Sequence, residues 1–411
     1  MLNTLLTGPK DSKLVQEILI SGSKSESNRL LLLQALYPEI KIENLSNSDD
    51  SRLMQAGLKT CENLVDIHHA GTAMRFLTAY FAGKPGKETV LTGSGRMKER
   101  PVQLLVEALE QLGADISYLE NDGCPPIRIQ GKALTGKSVS LPANVSSQYI
   151  SALMLIAPAL PEGLEINLIG TITSAPYIRM TLGLLKRIGV SGTFEGQQIK
   201  IGPATTLPAQ TVTVESDWSS ASYFYSIVAL AGSGTQITLR SFRSDSLQGD
   251  SILPKIFEHL GVITEFDQDK IILTRSGDPD IRELNWDLIE APDLAQTLAV
   301  CCFGLGLGCN LTGLHTLKIK ETDRLVALEN ELSKLGAEVS VTDRSLHLKE
   351  SRRIVPMQSI RTYNDHRMAM AFAPLACKTR IIIQDAAVVS KSYPDFWKDL
   401  AKLGFHASET I

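Results

Sequence analysis

The sequence lacks a long apolar run, an excess of basic charge and a paired-cysteine spacing. Its most apolar stretches, Tyr149 to Leu160 and Leu298 to Gly308, fall short of the roughly 20 residues a membrane-spanning helix needs, so they are expected to be buried helices and no membrane role follows. Lys and Arg total 41 against 45 Asp and Glu, for a net charge of -4. With a pI near 6.0, this argues against a nucleic-acid footprint spread over the whole surface, so any basic function must be local. Met1 to Lys10 shows no basic segment followed by an apolar run and a small-residue cleavage site, and the chain is expected to stay in the cytoplasm. The six cysteines, Cys61, Cys124, Cys301, Cys302, Cys309 and Cys377, have neither CxxC nor Cys/His ligand spacing. They are expected to be reduced thiols in cores or loops, with no metal site. Cys124, in a Gly/Pro loop, has the best context for a reactive thiol, but a structural thiol is the favoured expectation there too.

What is present is enough for large cores. A chain of 411 residues exceeds what one core usually serves, and 43% hydrophobic with 21% charged residues fits a two-domain globular protein.

Four segments share one plan: an amphipathic helix, a Gly stop, a β-branched strand, a turn and another strand. They are Leu104 to Ile129, Leu182 to Ile201, Leu253 to Leu273 and Leu325 to Leu348, punctuated by Gly113, Gly189, Gly261 and Gly336, with a final partial copy ending at Gly404. Glycine suits the left-handed position after a helix, and the alternation in "PPIRIQ", "QQIKIG", "DKIILT" and "RSLHLK" suits half-buried strands.

Between these units lie six helices apolar on all sides, with cores starting at Leu30, Met74, Tyr149, Ala221, Ala295 and Met368. Such helices are expected to be enclosed by other elements. Each follows a polar or ionic cluster: "SKSESNR", "HAGTAMR", "NVSSQ", "SDWSSAS", "APDLAQ" and "YNDHR". Helix starts offer free N–H groups and the positive end of the macrodipole, which favour anions. Ser, Thr and Asp there also serve as ordinary N-caps, but capping does not call for Lys24, Arg29, Arg75, Asp293, His366 and Arg367 beside them. If the helices run parallel within a domain, their starts converge on one face as an anion site.

The segments "GSKSESNR" (22 to 29), "AGTAMR" (70 to 75), "RMKERP" (96 to 101), "VSSQ" (145 to 148), "KETDR" (320 to 324) and "YNDHRMAM" (363 to 370) occur in this order. As a set they resemble the 5-enolpyruvylshikimate-3-phosphate synthases (3-phosphoshikimate 1-carboxyvinyltransferases) of the enolpyruvyl transferase family, from about Lys24 to Lys391. The resemblance implies an α/β (α+β) fold of two domains, each built from βαβαββ units with buried parallel helices. One domain would hold residues 1–20 and 216–411 and the other 21–215, joined by two crossing strands, with the active site in the cleft between them. It also implies transfer of the enolpyruvyl group of phosphoenolpyruvate to the 5-hydroxyl of shikimate 3-phosphate, with release of phosphate, on the route to chorismate and aromatic amino acids. No metal or organic cofactor, nucleic acid or membrane is expected, and a monomer is.

Carried over by position, the resemblance gives phosphoenolpyruvate to Lys24, Gly71, Arg100, Gln148, Arg324, Arg367 and Lys391. It gives shikimate 3-phosphate to Lys24, Ser25, Arg29, Ser146, Ser147, Gln148, Ser174, Tyr177, Asp293 and Lys320. Arginine suits the phosphates and carboxylates because its planar fork binds such oxyanions bidentately. Addition followed by elimination needs a base and an acid. Asp293 is nominated to accept the hydroxyl proton, and Glu321 and Lys391 to deliver protons, with Lys24 among the catalytic group; His366 has a supporting role only. Without the accompanying motifs, "KETDR" would be an exposed salt-bridged helix face.

Departures from the family pattern are His69, Phe76, Ala175 and Thr316, where Asn, Pro, Lys and Asn are usual. The stretch from Asp50 to Gly71 has room for one helix and a linker, so one repeat is expected to be trimmed. Two rivals share the architecture: a UDP-N-acetylglucosamine enolpyruvyl transferase, which would show a loop cysteine acid, and a non-catalytic anion-binding module, which would not need Glu321 or Lys391.

Overall fold

The computed structural model describes residues 3–143, 146–172 and 175–410. The chain divides into two compact units: Gly22–Val214, here the inserted unit, and Met1–Ser21 with Glu215–Ile411, the terminal unit. Each is organised around three of the apolar helices.

In the inserted unit these are Lys24–Leu36, Gly71–Ala82 and Ser147–Ile156, which pack on one another. Every residue of Gly71–Ala82 is buried, as expected for a helix without a polar face. In the terminal unit Ala295–Leu305 packs against both Trp218–Leu230 and His366–Phe372. The Tyr149 and Met368 stretches turn 3-10 at their ends, over Ala157–Ala159 and Ala373–Cys377, where Pro158 and Pro374 withhold a backbone N–H.

The repeats become sheets of one design. A first strand runs parallel to a second, and a hairpin then pairs antiparallel beyond it. Ser138–Pro142 lies parallel to Leu164–Ile169, which carries the hairpin Gly192–Glu195 and Gln198–Ile201. Leu64–Asp66, Glu88–Thr92 and the hairpin Asp115–Tyr118 with Ile127–Gln130 repeat this order. So do two sheets of the terminal unit, one beginning at Val15–Ile18 and one at Glu283–Asp287. The helices before the hairpins end at glycines that are left-handed, with φ +97 at Gly113, +94 at Gly189, +78 at Gly261, +95 at Gly336 and +83 at Gly404.

Two sheets depart from the plan. The final copy does not stop at Gly404: His406–Thr410 follows and pairs antiparallel with Asn3–Thr7, which in turn pairs with Ile381–Gln384. The amino-terminal strand thus supplies the second arm of the last hairpin. The trimmed repeat is the other case. Ile40–Glu43 pairs parallel with Gln210–Thr213 in a sheet of two strands, and Asp49–Lys59 passes to Leu64–Asp66 of the next sheet without a hairpin between. Among the described residues no helix is long and apolar enough to cross a membrane.

Candidate active site

In the terminal unit three helix starts meet. Asp293 lies in the 3-10 turn Pro292–Leu294 that leads into Ala295–Leu305, Arg324 opens Arg324–Lys334, and Arg367 is the second residue of His366–Phe372. A cation in a first turn opposes the helix macrodipole, so its placement needs compensation from anions. Arg324 is 2% exposed and finds three. Its Nε donates to Asp365 Oδ2 at 2.6 Å, Nη1 to Asp293 Oδ1 at 2.7 Å and Nη2 to Glu321 Oε2 at 2.8 Å. Burial alone would lower its pKa, but Asp365, Glu321 and Asp293 together raise it.

Asp293 is shared more widely. Arg367 donates from Nη2 to Asp293 Oδ2 at 3.1 Å and from Nη1 to the Asp293 carbonyl at 3.3 Å, and Lys320 Nζ lies 3.6 Å from Oδ1. One carboxylate at a helix start therefore gathers three cations. Arg367 also reaches Ser219 Oγ at 3.2 Å, in the first turn of Trp218–Leu230, and Ser219 is hydrogen-bonded to Asp250. Burial pushes Asp250 up to about 6, with Arg367 opposing and Asp293 adding to the shift. Lys391 Nζ donates to the carbonyl of Asn364 at 2.7 Å, next to Asp365. His366 is buried beside Asp365, with Nδ1 3.8 Å from Oδ1.

The capping explanation holds for part of this set. Asp217 accepts from Ser220 N, Asp323 from Leu325 N and Asp365 from Arg367 N. Asp365 does two jobs, because the same carboxylate holds Arg324. Asp293 turns instead to cations. The "KETDR" run is not an exposed salt-bridged face, since its arginine is the most buried cation of the cluster.

The inserted unit gathers a second set at its own helix starts. Buried Arg29 donates from Nε to Thr181 Oγ1 at 2.8 Å, from Nη1 to the Ser25 carbonyl at 2.8 Å and from Nη2 to Ser151 Oγ at 3.0 Å. Its guanidinium lies over two rings, with Cζ 5.5 Å from the centroid of Phe76 and 5.9 Å from that of Tyr177. Burial lowers it to about 10, so it stays charged at neutral pH. Phe76, one of the departures from the family pattern, thus lends its face to an arginine.

Arg75 is lowered to about 10 by burial and by neighbouring Arg100, and donates to the carbonyls of Gly71 at 3.1 Å and Pro101 at 2.9 Å. A Cβ on Gly71 would stand 2.6 Å from Arg100 Nη1, so the missing side chain is what lets the guanidinium approach the helix start. Gln148 Nε2 donates to Thr72 Oγ1 at 3.2 Å, tying Ser147–Ile156 to Gly71–Ala82. Ser146 caps its helix through Gln148 N, and Ser147 is buried. Lys24 and Ser25 open the helix that carries Arg29. Ser174 lies outside the described residues.

The expected site residues thus fall into two sets. Asp293, Lys320, Glu321, Arg324, Arg367 and Lys391 belong to the terminal unit; Lys24, Ser25, Arg29, Gly71, Arg100, Ser146, Ser147, Gln148 and Tyr177 belong to the inserted unit. Three participants had no assigned role from sequence. Asp365 and Ser219 stood inside quoted segments, whereas Asp250 becomes visible only through its hydrogen bond with Ser219 and its place near Arg367. The cysteines are free thiols, with Cys61 exposed, Cys124 and Cys377 partly so, and Cys301, Cys302 and Cys309 buried.

Two buried sets of arginines at helix starts, one per unit, fit proteins that bind several oxyanions. The model of the family described as EPSP synthase (3-phosphoshikimate 1-carboxyvinyltransferase) matches residues 58–400. The chain belongs to the EPSP synthase family. It is 45% identical over 405 residues to the 3-phosphoshikimate 1-carboxyvinyltransferase of Bacteroides fragilis (strain YCH46), covering 98% of both chains. It is 35% identical to that of Haemophilus influenzae (strain PittEE), covering 93% of this chain and 95% of the relative. Among solved structures, an EPSP synthase from Acinetobacter baumannii matches with a TM-score of 0.79 at 20% identity, covering 99% of this chain and all of the other. The enolpyruvyl transferase NikO from Streptomyces tendae matches with a TM-score of 0.74 at 14% identity over the full length of both. At those identities the likeness speaks for the fold, and it is the EPSP synthase fold that the sequence motifs implied.

Proposed function

We propose that the chain transfers the enolpyruvyl group of phosphoenolpyruvate to the 5-hydroxyl of shikimate 3-phosphate, releasing inorganic phosphate. The observation that carries this reading is the Asp293 cluster, where one carboxylate at a helix start is held by Arg324, Arg367 and Lys320. In this role Asp293 takes the proton of the attacking hydroxyl as its oxygen bonds to C2 of phosphoenolpyruvate. An acid, Glu321 or Lys391, protonates C3, which becomes a methyl group. In the second step the C2–O bond to phosphate breaks, C3 gives up a proton and the double bond re-forms. The negative charge of the tetrahedral intermediate is met by fixed guanidinium groups that need no reorganisation as it develops.

Phosphoenolpyruvate is assigned Lys24, Gly71, Arg100, Gln148, Arg324, Arg367 and Lys391, and shikimate 3-phosphate Lys24, Ser25, Arg29, Ser146, Ser147, Gln148, Tyr177, Asp293 and Lys320. Both units contribute to each ligand, which makes the reaction dependent on both. The reaction needs proton transfer and anion stabilisation only, so the chain is proposed to work without metal or organic cofactor, as a cytoplasmic monomer. The net charge of -4 supports a role away from nucleic acid.

The test is to mix the folded protein with both substrates and follow phosphate release. Release dependent on shikimate 3-phosphate, and lost in Lys24→Ala and Arg100→Ala while their folds stay intact, is expected. Release with UDP-N-acetylglucosamine in its place, or none at all, overturns the assignment.

A further inference from the structure

Tyr363 and Asn364 are consecutive non-glycine residues with left-handed backbone, at φ +54 and +56. That region crowds Cβ against the following carbonyl, so it is rarely visited twice running unless the surroundings force it. Here the forcing groups can be named. The Tyr363 hydroxyl donates to Glu331 Oε1 at 2.6 Å, and the backbone N–H of Arg361 donates to Oε2 of the same carboxylate at 3.1 Å. The Arg361 guanidinium lies over the Tyr363 ring, 4.9 Å from its centroid. Glu331 is 0% exposed and is matched by Lys334 Nζ at 2.6 Å.

A charge held this deep by one ion pair adds little to stability over an apolar pair, because desolvation offsets the attraction. Its directional bonds to Tyr363 and Arg361 fix geometry instead. What that geometry serves follows in the chain: the carbonyl of Asn364 accepts from Lys391 Nζ at 2.7 Å, and Asp365 accepts from Arg324 Nε at 2.6 Å and Arg367 N at 2.9 Å.

We propose that Tyr363, anchored on buried Glu331, is a positioning residue that holds the left-handed turn and thereby aims Lys391 and Arg324. Tyr363 reaches the reacting groups only through the two residues that follow it. Released from Glu331, the turn relaxes toward ordinary backbone, and the Asn364 carbonyl rotates off the Lys391 ammonium. Burial and Glu331 raise the Tyr363 hydroxyl to about 12, so it remains a donor across the working pH range. The consequence for phosphoenolpyruvate rests on the proposed function; the aiming of Lys391 does not.

The experiment uses the full chain and three variants. Tyr363→Phe removes the hydroxyl and keeps the ring over Arg361, Tyr363→Leu removes both, and Glu331→Gln weakens the acceptor. Two quantities are read: KM for each substrate, and the rate at which trinitrobenzenesulfonate labels Lys391 relative to Lys24, by peptide mass spectrometry. Loss of a hydrogen bond to a charged acceptor is expected to raise KM for phosphoenolpyruvate on the order of tenfold in Tyr363→Phe, and further in Tyr363→Leu. KM for shikimate 3-phosphate is expected to change less than about twofold, and labelling of Lys391 to rise at least about threefold over Lys24. Unchanged KM and labelling in a folded Tyr363→Phe overturn the proposal, as does a fall in melting temperature without any split between the two KM values. Should the parent protein release no phosphate, the proposed function falls and the labelling ratio still decides whether Tyr363 aims Lys391.

Discussion

Replacing Arg324 by Met tests the charge cluster most directly, because Met keeps the aliphatic volume and removes only the guanidinium. The cluster sets Asp293, Glu321 and Asp365 against Arg324, Arg367 and Lys320. Without Arg324, buried Asp365 loses its 2.6 Å partner and Asp293 its 2.7 Å partner, and negative charge is left uncompensated. Breaking a buried pair from one side typically costs about 3–5 kcal/mol, far more than the net contribution of the intact pair. All three tryptophans, Trp218, Trp286 and Trp397, lie in the terminal unit, so urea unfolding followed by tryptophan fluorescence reports on the unit that holds the cluster. A loss of about 3–5 kcal/mol is expected at pH 7.5. The sign of its pH dependence follows from linkage. With one cation of the cluster gone, protonating a carboxylate relieves the excess negative charge of the folded variant, so its deficit against the parent shrinks as pH falls toward 5. A deficit below about 1 kcal/mol, or one that does not vary with pH, refutes the account of the cluster.

Asp250, raised to about 6 in the fold, binds its proton more tightly there than in the unfolded chain, so it makes stability fall as pH rises from about 4 to about 6 and adds no slope above that. Asp250→Asn is expected to remove this fall, worth at most about 3 kcal/mol and less because the residue is partly exposed; parallel urea curves for parent and variant between pH 4 and 7 would contradict it. Gly189 has φ +94 with nothing within 4 Å of an added Cβ, so Gly189→Ala isolates the backbone term. A loss of about 1–2 kcal/mol, partly recovered by Gly189→Asn, is expected from thermal unfolding followed by circular dichroism, and no loss would mean that the cap is not under backbone constraint. Burial pushes the thiols of Cys301 and Cys377 up to about 12 and raises Cys302 as well. Ellman's reagent at pH 8 is expected to modify exposed Cys61 in the folded chain and leave buried Cys301 and Cys302 until urea is added; prompt reaction of Cys301 would contradict the packing.

The family was legible because six short segments kept their residues and order, and local structure was legible because its causes are local. A glycine after an amphipathic helix reads as a left-handed stop, and an all-apolar helix reads as buried, since neither inference needs a distant partner. Even the trimmed repeat showed as missing length between Asp50 and Gly71.

Tertiary packing decided the rest. That Arg324 binds Glu321 could be anticipated from helical spacing, but its bonds to Asp293 and Asp365 join residues 31 and 41 positions away. Only the docking of three helix starts makes those pairs. The pairing of Asn3–Thr7 with His406–Thr410 joins the two ends of the chain, and no local pattern in either strand names its partner. The left-handed turn at Tyr363 and Asn364 was equally silent: asparagine tolerates that backbone but tyrosine does not favour it, and the carboxylate that anchors Tyr363 lies thirty-odd residues upstream. Sequence determined which groups are available and which segments coil or extend, because those depend on near neighbours. The structure decided which charges share an acceptor, because that depends on where whole elements come to rest.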